Sequence, residues 1–332
     1  MLFAVGSYTS LGGPGVAVIR AEGTKLAFLC ASREVTEPTW VMQAPKHPHI
    51  LYAACGAEGT KEGIAASFFF SQDGLTLLSA QPTGGRACCH LAVDEEEKNL
   101  YAANYLDGSV SVFPLTEEGK IGPRSQFLRH IAPTGPNPVR QECSHAHQCV
   151  FRPGTQELFV CNLGTDQVLI YARQADGTLR PQSSIQAQPG TGPRHLAFDG
   201  PCRFYLAGEL GGWLSVYQLQ EGKWQCLQLL PTVPGGFQGE NTAAAIRLDE
   251  KRAYVSNRGH DSIALFDRGA DGLLTPVGHV AVPGCFPRDF RLWAGGFLLA
   301  QQKRGGVAWM DAQGQPGESL ALEGAVCLCP LK

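Results

Sequence analysis

The side chains of this sequence best suited to proton transfer and anion binding are His147, Glu209 and a group of arginines. An imidazole titrates near neutrality, and a carboxylate beside arginine stays ionised as base or orienter, so His147 and Glu209 form the preferred acid–base pair. Arg86, Arg194, Arg258, Arg288 and Lys303 outnumber the acids Glu209, Glu240 and Asp289 at comparable positions. A recessed excess of guanidinium focuses positive potential and offers two-pronged hydrogen bonding to carboxylate or phosphate, so the expected ligand is a small anion. His145, His195, Asn104 and Glu240 stand at neighbouring positions as further binding candidates, whereas His90 reads as a structural histidine. His145 and His147 alternate and could share a metal from one side of a strand, but no third ligand stands at matching spacing, and no metal is expected. Nucleophilic catalysis has little support, because there is no G-x-S-x-G elbow and Ser144 is suggestive only by its nearness to two histidines. The glycine-rich stretch 6–15 lacks the lysine of a phosphate loop and reads as a turn.

These residues are far apart in sequence, so the elements that carry them must bring them together. A hydrophobic strand, a turn and a second alternating strand recur along the chain, as in LYAANY then SVSVFPL (100–115) and LFVCNL then QVLIYAR (158–173). Seven such units can be counted, and equivalent aromatic or leucine positions at 52, 101, 159, 205, 254 and 298 lie 44 to 58 residues apart. Six units carry a short apolar strand before the pair, and a more variable strand follows it, giving four antiparallel strands per unit. This is an all-β, seven-bladed β-propeller, read as a single domain over residues 1–332. The first unit lacks its leading strand while the chain ends in the spare apolar segment GAVCLCPL (324–331), so the C-terminal strand is expected to close the ring. Closure removes an open sheet edge. In such a blade, residues just before the first strand and just after the second share one face of the disc. His145, His147, Arg194, His195, Glu240 and Arg288 fall in the first class, and Asn104, Glu209, Arg258 and Lys303 in the second, so all are expected at one mouth of the central channel.

Composition agrees with many short strands and tight turns: 44% hydrophobic and 17% charged residues, with 40 glycines and 22 prolines. A net charge of −3 without a basic block gives no reason to expect nucleic acid or an anionic membrane as partner. No stretch is long and apolar enough to span a bilayer, and the start, LFAVGSY, does not read as a signal peptide. The 12 cysteines are scattered through strand-like segments without the close spacing of a disulfide scaffold, so they are expected to be reduced and mostly buried.

An ordered series of motifs, GSYT at the N-terminus, NYLDGSVSVF (104–113), SHAH (144–147), GPRHLAFD (192–199), GEL (208–210), SNRGHDSIALFD (256–267) and FPRDF (286–290), resembles the lactonase-type seven-bladed propellers. That family includes propeller-type 6-phosphogluconolactonases and the carboxy-cis,cis-muconate cyclase. The resemblance spans nearly the whole chain. It implies a cytoplasmic enzyme that opens a lactone with water, or closes one, without a cofactor, and it carries site roles onto His147, Arg194, Glu209 and Arg258. On this basis Arg258, Arg288 and Lys303 are expected to hold the anion of 6-phosphogluconolactone or a related lactone. Arg194 would polarise the carbonyl, and His147, oriented by Glu209, would activate water. A muconate-type lactonising cyclase and a noncatalytic binding propeller are the alternatives.

Overall fold

The computed structural model describes every residue except 57, 58, 60 and 61. Twenty-eight strands form seven four-stranded antiparallel sheets arranged as a ring. From the axis outwards, blade one is Ala325–Leu331, Leu2–Ser7, Val16–Glu22 and Lys25–Ser32. The innermost strands of blades two to seven begin at Pro38, Cys88, Ala146, Pro193, Thr242 and Cys285. Among the described residues the one helical element is a 3-10 turn at Thr9–Leu11.

The two middle strands of a blade are sandwiched between neighbouring blades and are apolar on both faces, as in Ile50–Cys55 and Asn99–Asn104, which are buried throughout. Outermost strands face water and alternate weakly; in Leu179–Gln186 only Leu179 and Ile185 are buried. The apolar residues therefore form seven interblade cores rather than one. Tyr101, Ala103 and Val112 of blade three, for example, pack on Leu158, Val160 and Leu169 of blade four. Polar ties repeat around the ring with the same logic. Tyr101 Oη donates to the Gly177 carbonyl at 2.9 Å, and Tyr205 Oη to the Gly272 carbonyl at 2.9 Å, each reaching into the next blade. Gln126 and Gln228 clasp the backbones of Leu179 and Leu274 in the same way, each accepting from the N–H and donating to the carbonyl.

The ring closes as the sequence requires: Leu2 pairs with Leu331 and Gly6 with Cys327, in antiparallel register. Leu328, opposite Val5, is fully buried and packs with Phe3, Val5 and Leu298, so the ladder ties the C-terminal strand into blade one and the core joins blade one to blade seven. Truncating such a side chain costs about 2–5 kcal/mol, against about 0.5 kcal/mol or less for a surface residue. Leu328→Ala should therefore lower the urea midpoint far more than Leu29→Ala, whose side chain on the outermost strand of blade one is exposed. Equal midpoints for the two variants would show that the C-terminal strand does not secure the ring.

Candidate active site

The side chains at the mouth are aimed by an irregularity repeated in the innermost strands. In blade four Ala146 pairs with Asn162 and Gln148 with Cys161, so His147 is an extra residue in a β-bulge. The same skip falls on Arg194 in blade five, Arg288 in blade seven, Cys89 in blade three, Thr39 in blade two and Val326 in blade one. Blade six has its skip at Ala244 and Ala245. A bulge breaks the period of two and re-aims one side chain, and four of these residues, Thr39, Cys89, His147 and Arg288, line the channel mouth. Two residues before the skipped one, the backbone is left-handed at Gly324, Glu37, Ala87, Gly192 and Phe286, with φ between 55° and 64°. Three of these are not glycine, and each such conformation costs about 1–2 kcal/mol, so the surrounding ladder must impose it.

Glu209 follows the second strand of blade five and is built in from both sides. Its N–H donates to the Gly192 carbonyl at 2.8 Å, and its carbonyl accepts from Ala243 of blade six at 3.2 Å. The glycine before it is required by close approach: a Cβ on Gly208 would lie 2.7 Å from the Thr191 carbonyl oxygen. The carboxylate, 3% exposed, then receives three guanidinium groups. Arg194 Nε donates to Oε2 at 2.7 Å, Arg258 to Oε2 at 2.8 Å and Arg140 to Oε1 at 2.5 Å. Burial would raise the Glu209 pKa, but Arg258 and Arg194 outweigh it and hold the carboxyl well below its ordinary range. Burial, assisted by Arg258, pulls Arg194 down to about 9, still protonated at neutrality.

His147 lies beside this cluster with Nε2 4.0 Å from Glu209 Oε2, outside hydrogen-bond distance. The direct orientation of His147 by Glu209 that the sequence led us to expect is therefore not made, because the Glu209 oxygens are taken by arginine. Burial and then Arg194 push the His147 pKa well below its ordinary value, which leaves the imidazole neutral near neutral pH and a weaker base than a solvent-exposed histidine. Around these groups opens a cavity of about 620 Å³ lined by Arg140, Arg258, Arg288, His145, His147 and Tyr105, with Glu209 at its wall.

The other candidates divide. Arg288 lines the cavity, donating to Gln302 Oε1 at 3.2 Å and stacking over Tyr8. His145 lines it too, its ring stacked on Tyr105. Arg194 is 1% exposed and stands behind Glu209 rather than on the lining, although its NH1 has no protein partner. His195 is buried deeper in the channel against Trp40, His90 and His147 and does not line the cavity. Asn104 is fully buried and serves its own blade, donating to Ser109 and Ser111. Lys303 and Glu240 are exposed and off the lining; Lys303 sits over the face of Phe286, a ring that Arg258 also contacts.

Sequence reasoning missed Arg140. It comes from the connector between blades three and four, where Asn137 Oδ1 accepts from the Arg140 N–H at 3.0 Å and the buried Gln141 donates to the Leu163 carbonyl at 2.8 Å. The signal that could have found it is the 58-residue interval from 101 to 159, the longest between equivalent positions.

Removing the charge of Glu209 strands three guanidinium groups, and breaking a buried pair in this way costs about 3–5 kcal/mol. A carboxyl with a depressed folded pKa stabilises above its unfolded value, here 4.5, and loses that contribution as pH falls toward the folded value. Urea titrations of wild type and Glu209→Gln should show a large stability deficit at neutral pH that narrows in acid below 4.5. A deficit that does not change with pH would contradict the assignment.

The chain matches the family model described as "Lactonase, 7-bladed beta-propeller" over residues 2–320. It is 33% identical over 313 residues to the 6-phosphogluconolactonase of Bacillus subtilis, covering 91% of this chain and 88% of that protein. An uncharacterized protein of Lactococcus lactis is 34% identical over 294 residues, covering 86% and 84% of the two chains. Among solved structures, the periplasmic gluconolactonase of Pseudomonas aeruginosa superposes with a TM-score of 0.89 at 27% identity, covering 99% of this chain and 98% of that one. With the motif series, the blade count and near full-length matches all in agreement, this chain belongs to the seven-bladed β-propeller lactonase family and is a lactonase.

Proposed function

We propose that the enzyme hydrolyses the lactone of an anionic sugar acid, with 6-phosphogluconolactone the first substrate to try. The observation carrying this reading is one cavity in which a neutral imidazole faces three guanidinium groups, two of them tied to a single buried carboxylate. Arg288, half-buried and without a carboxylate partner among the described residues, is the free cation for a phosphate or carboxylate. Arg258, held by Glu209, polarises the lactone carbonyl and stabilises the oxyanion, with the unpartnered NH1 of Arg194 behind it. His147 Nε2 accepts a proton from the attacking water. The tetrahedral intermediate then collapses by breaking the bond to the ring oxygen, and the imidazolium returns the proton to that oxygen as the ring opens. Glu209 acts through the arginines, keeping them charged and in place. The relative from Bacillus subtilis named for the phosphorylated lactone supports this choice of substrate.

His147→Ala should lower kcat by about 10²–10⁴, the range of general-base assistance. Arg288→Met should raise KM for 6-phosphogluconolactone while leaving KM for unphosphorylated gluconolactone nearly unchanged. Because His147 is held neutral, kcat/KM of wild type should show no acid limb at the ordinary histidine value of 6.5. Unchanged turnover in His147→Ala would remove the mechanism. Turnover of a muconate-type diacid in place of both lactones would move the enzyme to the cyclase branch of the family.

We also place the protein in a reducing compartment, the cytoplasm, because all twelve cysteines are free thiols, six of them buried. No helix among the described residues is long and apolar enough to cross a membrane. Alkylation of the protein as isolated from its own cells should modify twelve thiols after denaturation; a disulfide-protected pair would argue against that location.

A further inference from the structure

On the rim of the cavity, three side chains of different chemistry converge that the mechanism does not use together. His145 Nε2 lies 3.1 Å from a carboxylate oxygen of Glu142 and 3.9 Å from the Cys143 sulfur. That sulfur lies 4.0 Å from the other Glu142 oxygen. A tetrahedral zinc ion with ordinary bond lengths of about 2.0–2.3 Å sets its nitrogen, oxygen and sulfur ligands about 3.4–3.6 Å apart, so small side-chain movements would complete the triangle.

The imidazole is prepared for such a role. Its Nδ1 lies 2.8 Å from the Tyr105 carbonyl, which can only accept, so Nδ1 carries the proton and Nε2 is the ligating atom. The ring is buried and stacked on Tyr105 at 4.5 Å, and the His145 N–H donates to Asn162 Oδ1 at 3.0 Å, which fixes the backbone behind it. With Nδ1 committed to the Tyr105 carbonyl, Nε2 faces a carboxylate and a sulfur, and a cation between the three would satisfy them all. The histidine pair considered from sequence does not form this site: among the described residues the ligand atoms that converge are those of Glu142, Cys143 and His145, while His147 Nε2 faces Glu209 at 4.0 Å.

We propose that Glu142, Cys143 and His145 form a binding site for a borderline-soft divalent cation of the zinc class, with its fourth position open to the cavity. Glu142 and His145 both line that cavity, so the open position is available to water or to an oxygen of the anionic substrate. On binding, the sulfur–metal bond replaces the S–H bond. The proton released from the sulfur, which lies 3.4 Å from the Ser144 carbonyl and 3.6 Å from that of Leu106, passes to solvent. An occupied site adds positive charge to the arginine-rich wall without displacing any of its ion pairs. A second proton on His145 would also satisfy the Glu142 contact, and the experiment separates these two cations.

The test uses the full chain, stripped with a chelator and titrated with Co²⁺. Bound cobalt should give tetrahedral visible bands and a thiolate-to-cobalt charge-transfer band, both saturating at one equivalent. Cys143→Ser should abolish the charge-transfer band, and His145→Gln should weaken binding, with circular dichroism confirming that each variant is folded. A double variant, Cys202→Ser with Cys226→Ser, removes the two exposed thiols that could compete and should leave the spectrum intact. If the band is missing in wild type, survives in folded Cys143→Ser, or is lost in the double variant, the site is an ordinary hydrogen-bonded ion pair. Cys143→Ser decides between the two even where His145→Gln, altered at a buried position, fails to fold.

Discussion

Three guanidinium groups cannot be gathered out of water unless something neutralises them, and at this mouth the carboxylate of Glu209 does so. Arg194 and Arg258 arrive from blades five and six and Arg140 from a connector, so one side chain joins three separate pieces of chain. Burial, and after it the same concentration of cations, keeps His147 unprotonated. The acid–base state of the imidazole thus depends on its burial and, after that, on how the arginines are assembled. Each of those arginines depends in turn on a carboxylate that touches His147 only at 4.0 Å.

The ring was legible because its units repeat, the alternation and the turn seven times and an equivalent aromatic or leucine at six positions, and its closure because the missing first strand is matched by a spare last one. The gathering of His147, Arg194, Glu209, Arg258 and Arg288 was legible for the same reason, since strand ends map to faces once blades are recognised. Their division of labour was not. Hydrogen-bond partners depend on tenths of an ångström, and nothing in sequence separates a carboxylate that orients imidazole from one that collects arginines. His195 and Asn104 illustrate the limit from the other side: both fall in the right class by position, yet one lies deeper in the channel and the other bonds within its own blade.

Arg140 and the bulges escaped for different reasons. A connector has no period, so a residue within it has no equivalent position to be compared with. A bulge adds one residue inside a strand of about six, a change smaller than the variation between blades. Periodicity locates elements, and these features are departures from periodicity.

The bulges have one more implication. Going round the ring, the skipped positions hold valine, threonine and cysteine in blades one to three, then histidine and arginine in blades four and five, paired alanines in six, and arginine in seven. Reactive groups occupy one arc of the rim, while Thr39, Gly56 and Cys89 form an uncharged arc across the same opening. On the proposed mechanism, a ring-shaped guest would stand with its breaking bond against the first arc and its remaining outline against the second. On that mechanism, bond cleavage and anion capture belong to the charged blades and the rest of the guest's outline to the neutral ones, so a lineage could reshape the neutral arc to admit a new sugar without disturbing a single ion pair.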